Sequence, residues 1–333
     1  MAASVPPPGR VVLVGAGPGD AELLTLKAAR LIAEADWLVH DALVQPQVLA
    51  LARRAQVIAV GKRAGNPSAR QSSINQILLD CARQGGLTVR LKGGDPLVFA
   101  RAQEELDVLH AAGVAVEVVP GISTAQAAHA ALALPMTERG RRRALVLATP
   151  QVHAPDQRNT ARFTEAGAHF RQEVDVRPSD AEWLGNPPPA GQTGQPAIPP
   201  SVHAVLACLQ QAAAPVPPPR RRVMSAAEIT ADPELRRWAE AIVAAGSGTL
   251  YMAATVAAQV RDTLLMLGMA PETPILWMMD VSLPGQEIVR GTLGSLEAPA
   301  AALKGKPALL LVGVPEHIGG TPAVSTQEGH PST

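Results

Sequence analysis

The sequence predicts an α/β protein built from two α/β domains, and three observations lead to this prediction. Short, continuous apolar runs such as RVVLVGA (10–16) are typical of parallel strands that are covered on both faces. Amphipathic helical segments alternate with these runs as far as residue 137, a pattern that favours a parallel sheet. A second series of strands and helices begins at RALVLAT (143–149) and resumes after residue 222.

The first domain is predicted over 10–137. Its strands are expected at 10–16, 36–40, 55–60, 87–91 and 114–119. The first helix is expected at 20–35, because Leu24, Ala28 and Leu31 share one stripe and Asp20 is a suitable N-cap. Pro135 ends the last of the further helices, which are expected at 45–54, 71–86, 101–113 and 121–134.

The second domain is predicted over 138–315. Its strands are expected at 143–149, 248–253, 273–280, 287–293 and 307–313, and its helices at 232–246 and 256–268. A segment rich in proline and glycine interrupts it at 151–222 and is predicted to be a disordered insertion. The tails, 1–9 and 316–333, are predicted to be disordered as well.

Composition argues against several classes of protein. Lys and Arg number 29, as do Asp and Glu, so the net charge of zero offers no general attraction to nucleic acid or to an anionic membrane. Aromatic residues make up 2%, too few for extensive stacking on bases. Cys81 and Cys208 lie far apart in Ala- and Leu-rich segments, which predicts buried thiols rather than a disulfide framework or a metal site. Without a membrane-length apolar run or the apolar core of a signal peptide, we expect a cytoplasmic protein.

The first strand runs into a cluster of glycines, Gly15, Gly17 and Gly19, at the edge of the sheet where α/β proteins bind ligands. Their spacing is G-x-G-x-G, whereas the nicotinamide-binding signature is G-x-G-x-x-G, and Pro18 stiffens the loop. An acidic residue about twenty positions later, which could be Glu34, Asp36 or Asp41, is a feature typical of a dinucleotide site. The cluster alone is therefore consistent with a tight turn that binds nothing or with one wall of a different ligand site.

A stronger signal is VRLKGGDPLVFARAQEE (89–105). A strand ends at Lys92, and Gly93 and Gly94 then permit a close approach of the backbone to a ligand. Asp95 can accept hydrogen bonds from ribose hydroxyls or from an ammonium group.

Three further stretches bring polar groups to the ends of neighbouring elements. HDALVQP (40–46) places Asp41 directly after a strand. VVPGISTAQAA (118–128) presents hydroxyls at the start of a helix. GKRAGNPSARQSSIN (61–75) is a loop that carries Lys62, Arg63 and Arg70.

Together these stretches, in this order and at these intervals, resemble the S-adenosylmethionine-dependent tetrapyrrole methylases, and among them the uroporphyrinogen-III C-methyltransferases. The resemblance is close over 10–150 and looser over 248–253, 271–293 and 307–313. It implies two α/β domains with S-adenosylmethionine in the cleft between them, usually in a homodimer, and a tetrapyrrole as the substrate. It implies no metal.

The resemblance also implies roles for single residues. Asp41 matches the family's proton acceptor, Lys62 its proton donor, and Arg101 an arginine that meets the tetrapyrrole. The implied substrate contacts are Arg63, Glu104 and Arg139. The implied cofactor contacts are Pro18, Gly93, Gly94, Asp95, Val98, Thr124, Ala125, Met252 and Val281.

The implied reaction is methylation of uroporphyrinogen III at two ring carbons, C2 and C7, which gives precorrin-2 for siroheme or cobalamin synthesis. The residue types suit it, because a substrate rich in carboxylates needs cations and a methylated ring must lose a proton to a base. Two alternatives stay open. One is a divergent methylase that acts on another corrin intermediate, and the other is a catalytically weakened paralogue that only binds the cofactor.

The sequence departs from the family pattern beside the implied site. Ala100, Ala102 and Gln103 stand where glycines are usual. Glu138 replaces a histidine, and Val281 is bulkier than the residue expected against the adenosine. These changes bear on activity and substrate more than on the fold or the cofactor.

Overall fold

The computed structural model describes residues 9–60, 71–140, 142–151, 224–303 and 306–315. These residues form two five-stranded sheets with helices packed against them, which confirms the predicted α/β class with two α/β units. Apart from Gly9 and Gln151, the predicted tails and the predicted insertion lie outside the described residues, so the domain boundaries stay predictions. Lys62, Arg63 and Arg70 lie outside them as well.

The first sheet is parallel throughout and has the strand order β3-β2-β4-β1-β5. Every residue of β2 and β4 is buried, as expected of strands that are covered on both faces. The strands are β1 (Arg10–Gly15), β2 (Trp37–His40), β3 (Gln56–Ala59), β4 (Leu87–Lys92) and β5 (Val116–Val119). The helices are α1 (Leu26–Glu34), α2 (Pro46–Leu49), α3 (Gln71–Gln84), α4 (Ala102–Ala111) and α5 (Thr124–Ala131).

The first helix begins later than the sequence predicts. Asp20 is a cap, but its side chain accepts from an amide two residues on and starts only a short 3-10 turn over Ala21–Leu23. Thr25 is the N-cap of α1, where its hydroxyl accepts a hydrogen bond from the Ala28 amide at 3.1 Å. Two good capping residues close together therefore divide the predicted helix, because each satisfies the first amides of its own segment.

The second sheet is mixed, with the order β6-β7-β10-β8-β9. Only β6 and β7 pair in parallel. Strands β8 and β9 pair antiparallel because the connection over 280–286 is too short for a crossover helix. The strands are β6 (Leu147–Ala148), β7 (Gly248–Tyr251), β8 (Pro274–Met279), β9 (Glu287–Thr292) and β10 (Ala308–Val312). The helices are α6 (Ala226–Ala231), α7 (Pro233–Ala245), α8 (Ala257–Met266) and α9 (Glu297–Ala302).

Helix α5 joins the two sheets. Ala125 and Ala128 of this helix share one buried cluster with Met278 of β8 and Leu311 of β10. The same helix begins at the carboxyl edge of the first sheet, so its packing holds that edge against the second sheet. None of the described helices combines the length and the apolarity that crossing a membrane requires.

Candidate active site

A cavity of about 610 Å³ lies between the two sheets. The first sheet lines it with the loops that follow β1, β2 and β4 and with the start of α5. The second sheet lines it with the end of β7, the loop after β8 and the start of β10. The cavity therefore occupies the cleft in which the sequence predicts the active site, at the carboxyl edge of a parallel sheet.

The two glycine-rich loops hydrogen-bond to each other at the wall of this cavity. The Gly94 amide donates to the Gly17 carbonyl at 2.7 Å, and the Gly17 amide donates to the Gly94 carbonyl at 3.2 Å. Both residues have positive φ angles, which glycine adopts at low cost. Beneath them, a Cβ on Gly121 would overlap the Gly94 carbonyl oxygen and come within 2.8 Å of the Gly15 Cα. Close crossing of three chain segments thus produces a wall of bare backbone.

Asp95 ties two parts of this wall together. Its Oδ1 accepts a hydrogen bond from the Leu97 amide at 2.8 Å, and its Oδ2 accepts one from the Gly121 amide at 3.0 Å. The sequence predicted a partner for a ligand hydroxyl or ammonium group, whereas both oxygens already bind backbone amides. A carboxylate has lone pairs beyond these two, so the predicted ligand contact is compatible with the structural role.

All of the predicted cofactor contacts except Ala125 line the cavity. Pro18, Val98 and Thr124 lie on the side of the first sheet, and Met252 and Val281 face them from the second. Ala125 is fully buried instead, and its amide donates a hydrogen bond to the Tyr251 hydroxyl at 3.1 Å. Its predicted contact with a cofactor stays a prediction.

Tyr251 was missed by the sequence reasoning, although it is the only tyrosine in the chain and directly precedes Met252. Its hydroxyl accepts from an amide in the first turn of α5, and its ring lies 5.0 Å, centroid to centroid, from the ring of Phe99. It therefore connects the end of β7 both to the start of α5 and to the loop after β4.

Left-handed backbone at non-glycine residues is concentrated around the cavity. Phe99, Arg101, Met252, Asp280 and Ser282 have φ angles between 48° and 66°. Each such residue costs about 1–3 kcal/mol, a cost that surrounding structure must offset. The turns that shape the cavity are thus held in place by tertiary contacts rather than by local preference.

Asp41 stands at the end of a line of charged side chains. It lines the cavity with its side chain 34% exposed, and its Oδ1 accepts a hydrogen bond from Nη2 of Arg90 at 2.6 Å. The same Nη2 lies 3.1 Å from Oε1 of Glu105, and Nζ of Lys92 lies 2.9 Å from that oxygen. Arg90, Lys92 and Glu105 are all buried, with 2% or less of each residue exposed to solvent.

Burial acts differently on the two cations of this group. Burial lowers the pKa of Lys92, and the positive charge of Arg90 lowers it further against the opposing effect of Glu105. Burial also disfavours the charged form of Arg90, but Asp41 and Glu105 more than offset this effect and raise the pKa of Arg90. Arg90 and Glu105 were missed by the sequence reasoning, yet a signal existed. Two cations alternate in a predicted buried strand, and buried charges require buried partners.

Two of the predicted substrate-facing residues, Arg101 directly before α4 and Glu104 in its first turn, form an ion pair at the surface. Arg101 donates from Nε and Nη2 to the two carboxylate oxygens of Glu104, each at 2.7 Å. This bidentate contact raises the pKa of Arg101, although burial opposes it. The pair follows Phe99 and Ala100, which line the cavity, whereas Arg139 is exposed and does not line it.

A second ion-pair group borders the cavity on the side of the second sheet. Nζ of Lys306 lies 2.7 Å from a Glu287 carboxylate oxygen and 3.5 Å from one of Asp280. Lys306 and Asp280 both line the cavity. Sequence reasoning did not select them, because a charge at the end of a strand is usually only solvated.

The departures from the family pattern are accommodated by ordinary packing. Ala102, the first residue of α4, is buried in the core, and Val281 is buried at the wall of the cavity. Gln103 donates to Asp107 one turn further along the helix at 2.7 Å. Glu138 faces Arg142 at 3.5 Å, so the extra negative charge has a local cation.

Comparison with known proteins agrees with the motifs. The family model for Tetrapyrrole (Corrin/Porphyrin) Methylases matches residues 10–171. The siroheme synthase of Edwardsiella ictaluri is 35% identical over 308 residues, which cover 92% of this chain and 49% of that protein. The chloroplastic S-adenosyl-L-methionine-dependent uroporphyrinogen III methyltransferase of Arabidopsis thaliana is 53% identical over 134 residues, 40% of this chain and 36% of that protein. The chain thus spans half or less of the length of these curated relatives.

The fold also has a solved counterpart. Uroporphyrin-III C-methyl transferase from Thermus thermophilus, complexed with S-adenosyl homocysteine, gives a TM-score of 0.59 at 29% identity, with 92% of this chain and 97% of that chain covered. The likeness therefore extends over both sheets and is not limited to the motifs of the first one. With the paired glycine loops, the cleft between two α/β units and these relatives in agreement, the chain belongs to the tetrapyrrole methylase family.

Proposed function

We propose that the chain binds S-adenosylmethionine in the cavity and methylates uroporphyrinogen III at C2 and C7 to give precorrin-2. The observation that carries the proposal is the meeting of the paired Gly17 and Gly94 loops with the carboxylate of Asp41 in one cavity. The glycine loops suit a nucleoside-like cofactor, and the Asp41 carboxylate suits proton removal from a methylated ring. The relatives named uroporphyrinogen III methyltransferase and siroheme synthase support this reading.

The cavity wall fits the cofactor, because the positive φ angles of Gly17 and Gly94 disfavour residues with side chains, so that bare backbone faces the cavity at both positions. Thr124 offers a hydroxyl at the start of α5, and Met252 and Val281 offer apolar contacts from the opposite side. Bound S-adenosylmethionine supplies an electrophilic methyl group. The task left to the protein is to align the ring carbon with that methyl group and to handle the proton that leaves.

We assign proton acceptance to Asp41. Its carboxylate accepts a hydrogen bond from the buried Arg90, and its partly exposed side chain lines the cavity. Lys62 is proposed as the proton donor, and Arg63 as a substrate contact, from the resemblance alone.

Arg101 is proposed to meet a substrate carboxylate. Two of its N–H groups are engaged by Glu104, and a guanidinium has further donors for a second carboxylate. Arg139 is proposed as a more peripheral contact of the same kind. We propose further that the protein acts as a homodimer in the cytoplasm, with siroheme or cobalamin synthesis consuming the product.

The test is an anaerobic assay of the full chain with uroporphyrinogen III and S-adenosylmethionine, in which precorrin-2 is followed by its absorption and mass. Asp41→Asn should lower turnover by about 100-fold or more, the size typical of losing a general base. Asp280→Asn is the matched control, since it removes another carboxylate that lines the same cavity and should leave most of the turnover intact. Binding of S-adenosylhomocysteine without any precorrin-2 formation would refute the proposal, and turnover of another corrin intermediate would redirect it.

A further inference from the structure

The charged group behind Asp41 contains a carboxylate that the proposed reaction does not use directly. Glu105 lies on α4 and is fully buried, and its Oε1 receives the donors of two β4 side chains. Nη2 of Arg90 contacts both Glu105 Oε1, at 3.1 Å, and Asp41 Oδ1, at 2.6 Å. The two carboxylate oxygens are therefore no more than 5.7 Å apart, the total of these two contacts.

The charges of this group balance in a particular way. Arg90 and Lys92 are both buried cations in one strand, and they would impose a strong positive potential on Asp41 if nothing offset them. A carboxylate in such a potential binds protons weakly and is a poor base. Glu105 is the buried anion that offsets them, and it contacts both.

We infer that Glu105 is a positioning residue that sets the proton affinity of Asp41 by neutralising Arg90 and Lys92 and by holding Arg90 in place. The inference rests on the proposed role of Asp41 as the base. It assigns to the second glutamate of the QEE stretch (103–105) a function in proton transfer without any contact with substrate or cofactor.

Other titratable groups lie next to Asp41 or line the same cavity. The imidazole of His40 lies close, with Nδ1 2.9 Å from the Asp41 carbonyl oxygen. On the cavity side, the charged lining residues of the described chain are Asp95, Asp280 and Lys306. None of these changes in the variants below, so differences between variants report on the buried group.

Two substitutions should act in opposite directions. Glu105→Gln keeps an acceptor oxygen at the Oε1 position, and its new amide group falls at Oε2, which has no hydrogen-bond partner among the described residues. The variant removes the negative charge, so the acidic limb of the pH–rate profile should move to lower pH by about one unit while turnover falls. Lys92→Met removes a positive charge that lies farther from Asp41 than the charge of Arg90 does, so the acidic limb should move to higher pH by about half a unit.

The double variant, Lys92→Met with Glu105→Gln, leaves Arg90 as the one cation and Asp41 as the one anion of the group, so its net charge equals that of the wild type and the limb should return towards the wild-type position. A purely structural role for Glu105 would lower the folded fraction and the thermal midpoint but would not move the limb. The Michaelis constant for S-adenosylmethionine should be the same in all variants, because none of these side chains lines the cavity.

A second readout does not depend on turnover. With ¹³C-carboxyl-labelled aspartate, the Asp41 signal is identified by its loss in Asp41→Asn, and the pH at which it changes is followed in each variant. Opposite displacements in Glu105→Gln and Lys92→Met support the inference, and equal positions in all folded variants overturn it. If the displacements occur but the wild type makes no precorrin-2, the proposed function fails while the role of Glu105 stands.

Discussion

The hydrogen bond between the Tyr251 hydroxyl and the Ala125 amide allows a sharp test of how the two sheets are held together. Ala125 is the second residue of α5, and an amide in the first turn of a helix has no partner within that helix. Ser123 already caps the amide of Gln126, so Tyr251 satisfies a different one from the opposite side of the cleft. Tyr251→Phe removes the acceptor and leaves the ring.

The expected effect follows from burial. Ala125 is fully buried, and a buried donor left without a partner costs about 1–3 kcal/mol. Because Tyr251 lines the cavity, a water molecule can reach this position in the variant, and we expect a loss near the lower end, about 1–1.5 kcal/mol of unfolding free energy. The ring contact with Phe99, 5.0 Å between centroids, should survive.

The assay is urea unfolding followed by tryptophan fluorescence, together with amide hydrogen exchange at Ala125. Trp37 lies in the first sheet and Trp277 in the second, so the two units can be followed separately with Trp→Phe variants. Phe99→Leu is the control, since it removes the ring contact and keeps the hydroxyl. Unchanged stability together with unchanged exchange at Ala125 in Tyr251→Phe would show that the hydroxyl does not cap α5.

Three other predictions follow from single contacts. Gly121→Ala should lower the unfolding free energy in urea by more than about 2 kcal/mol, because the new Cβ would overlap the Gly94 carbonyl oxygen. Gly113→Ala is the control: Gly113 has a positive φ but open space around it, so the cost should be only about 1 kcal/mol. Burial lowers the pKa of His129 from 6.5, so the folded state favours the neutral ring. The unfolding free energy should therefore fall as pH drops below about 6.5, and His129→Gln should flatten that dependence between pH 7.5 and 5.5. Burial, with the charge of Asp80, raises the pKa of Cys81 to about 12, so in a Cys208→Ser variant a disulfide reagent at pH 8 should label this thiol only after unfolding.

The parts of the fold that the sequence predicts well are those set by local patterns. The apolar runs of β1 and β2 predict a parallel sheet, because strands that are covered on both faces carry apolar residues on both. The two glycine loops were predicted at a ligand site because both follow strands of the predicted parallel sheet and match motifs of the family. These two loops form one wall of the cavity, so this part of the candidate site could be located from the motifs.

What the sequence could not supply are relations between distant residues. No local sequence pattern indicates that the Ala125 amide donates a hydrogen bond to Tyr251, or that both carboxylate oxygens of Asp95 accept hydrogen bonds from backbone amides. The antiparallel pairing of β8 with β9 follows from the shortness of 280–286, but the antiparallel pairing of β10 with β7 and β8 depends on the strand order, which no local pattern gives. The start of α1 was misplaced because Asp20 and Thr25 are both good caps and local preference does not choose between them.

The two sides of the site differ in what holds them, and this difference separates binding from chemistry. The wall proposed to bind the cofactor combines glycine backbone with a few side chains such as Thr124, Met252 and Val281, and none of these carries a charge. The Asp41 side depends on four charged side chains, two of which are buried cations that need Glu105. Charge substitutions in this group should therefore alter turnover and its pH dependence while cofactor binding persists. Under the proposed function, one such change should abolish methylation while the cofactor still binds, because the two properties depend on different physical interactions.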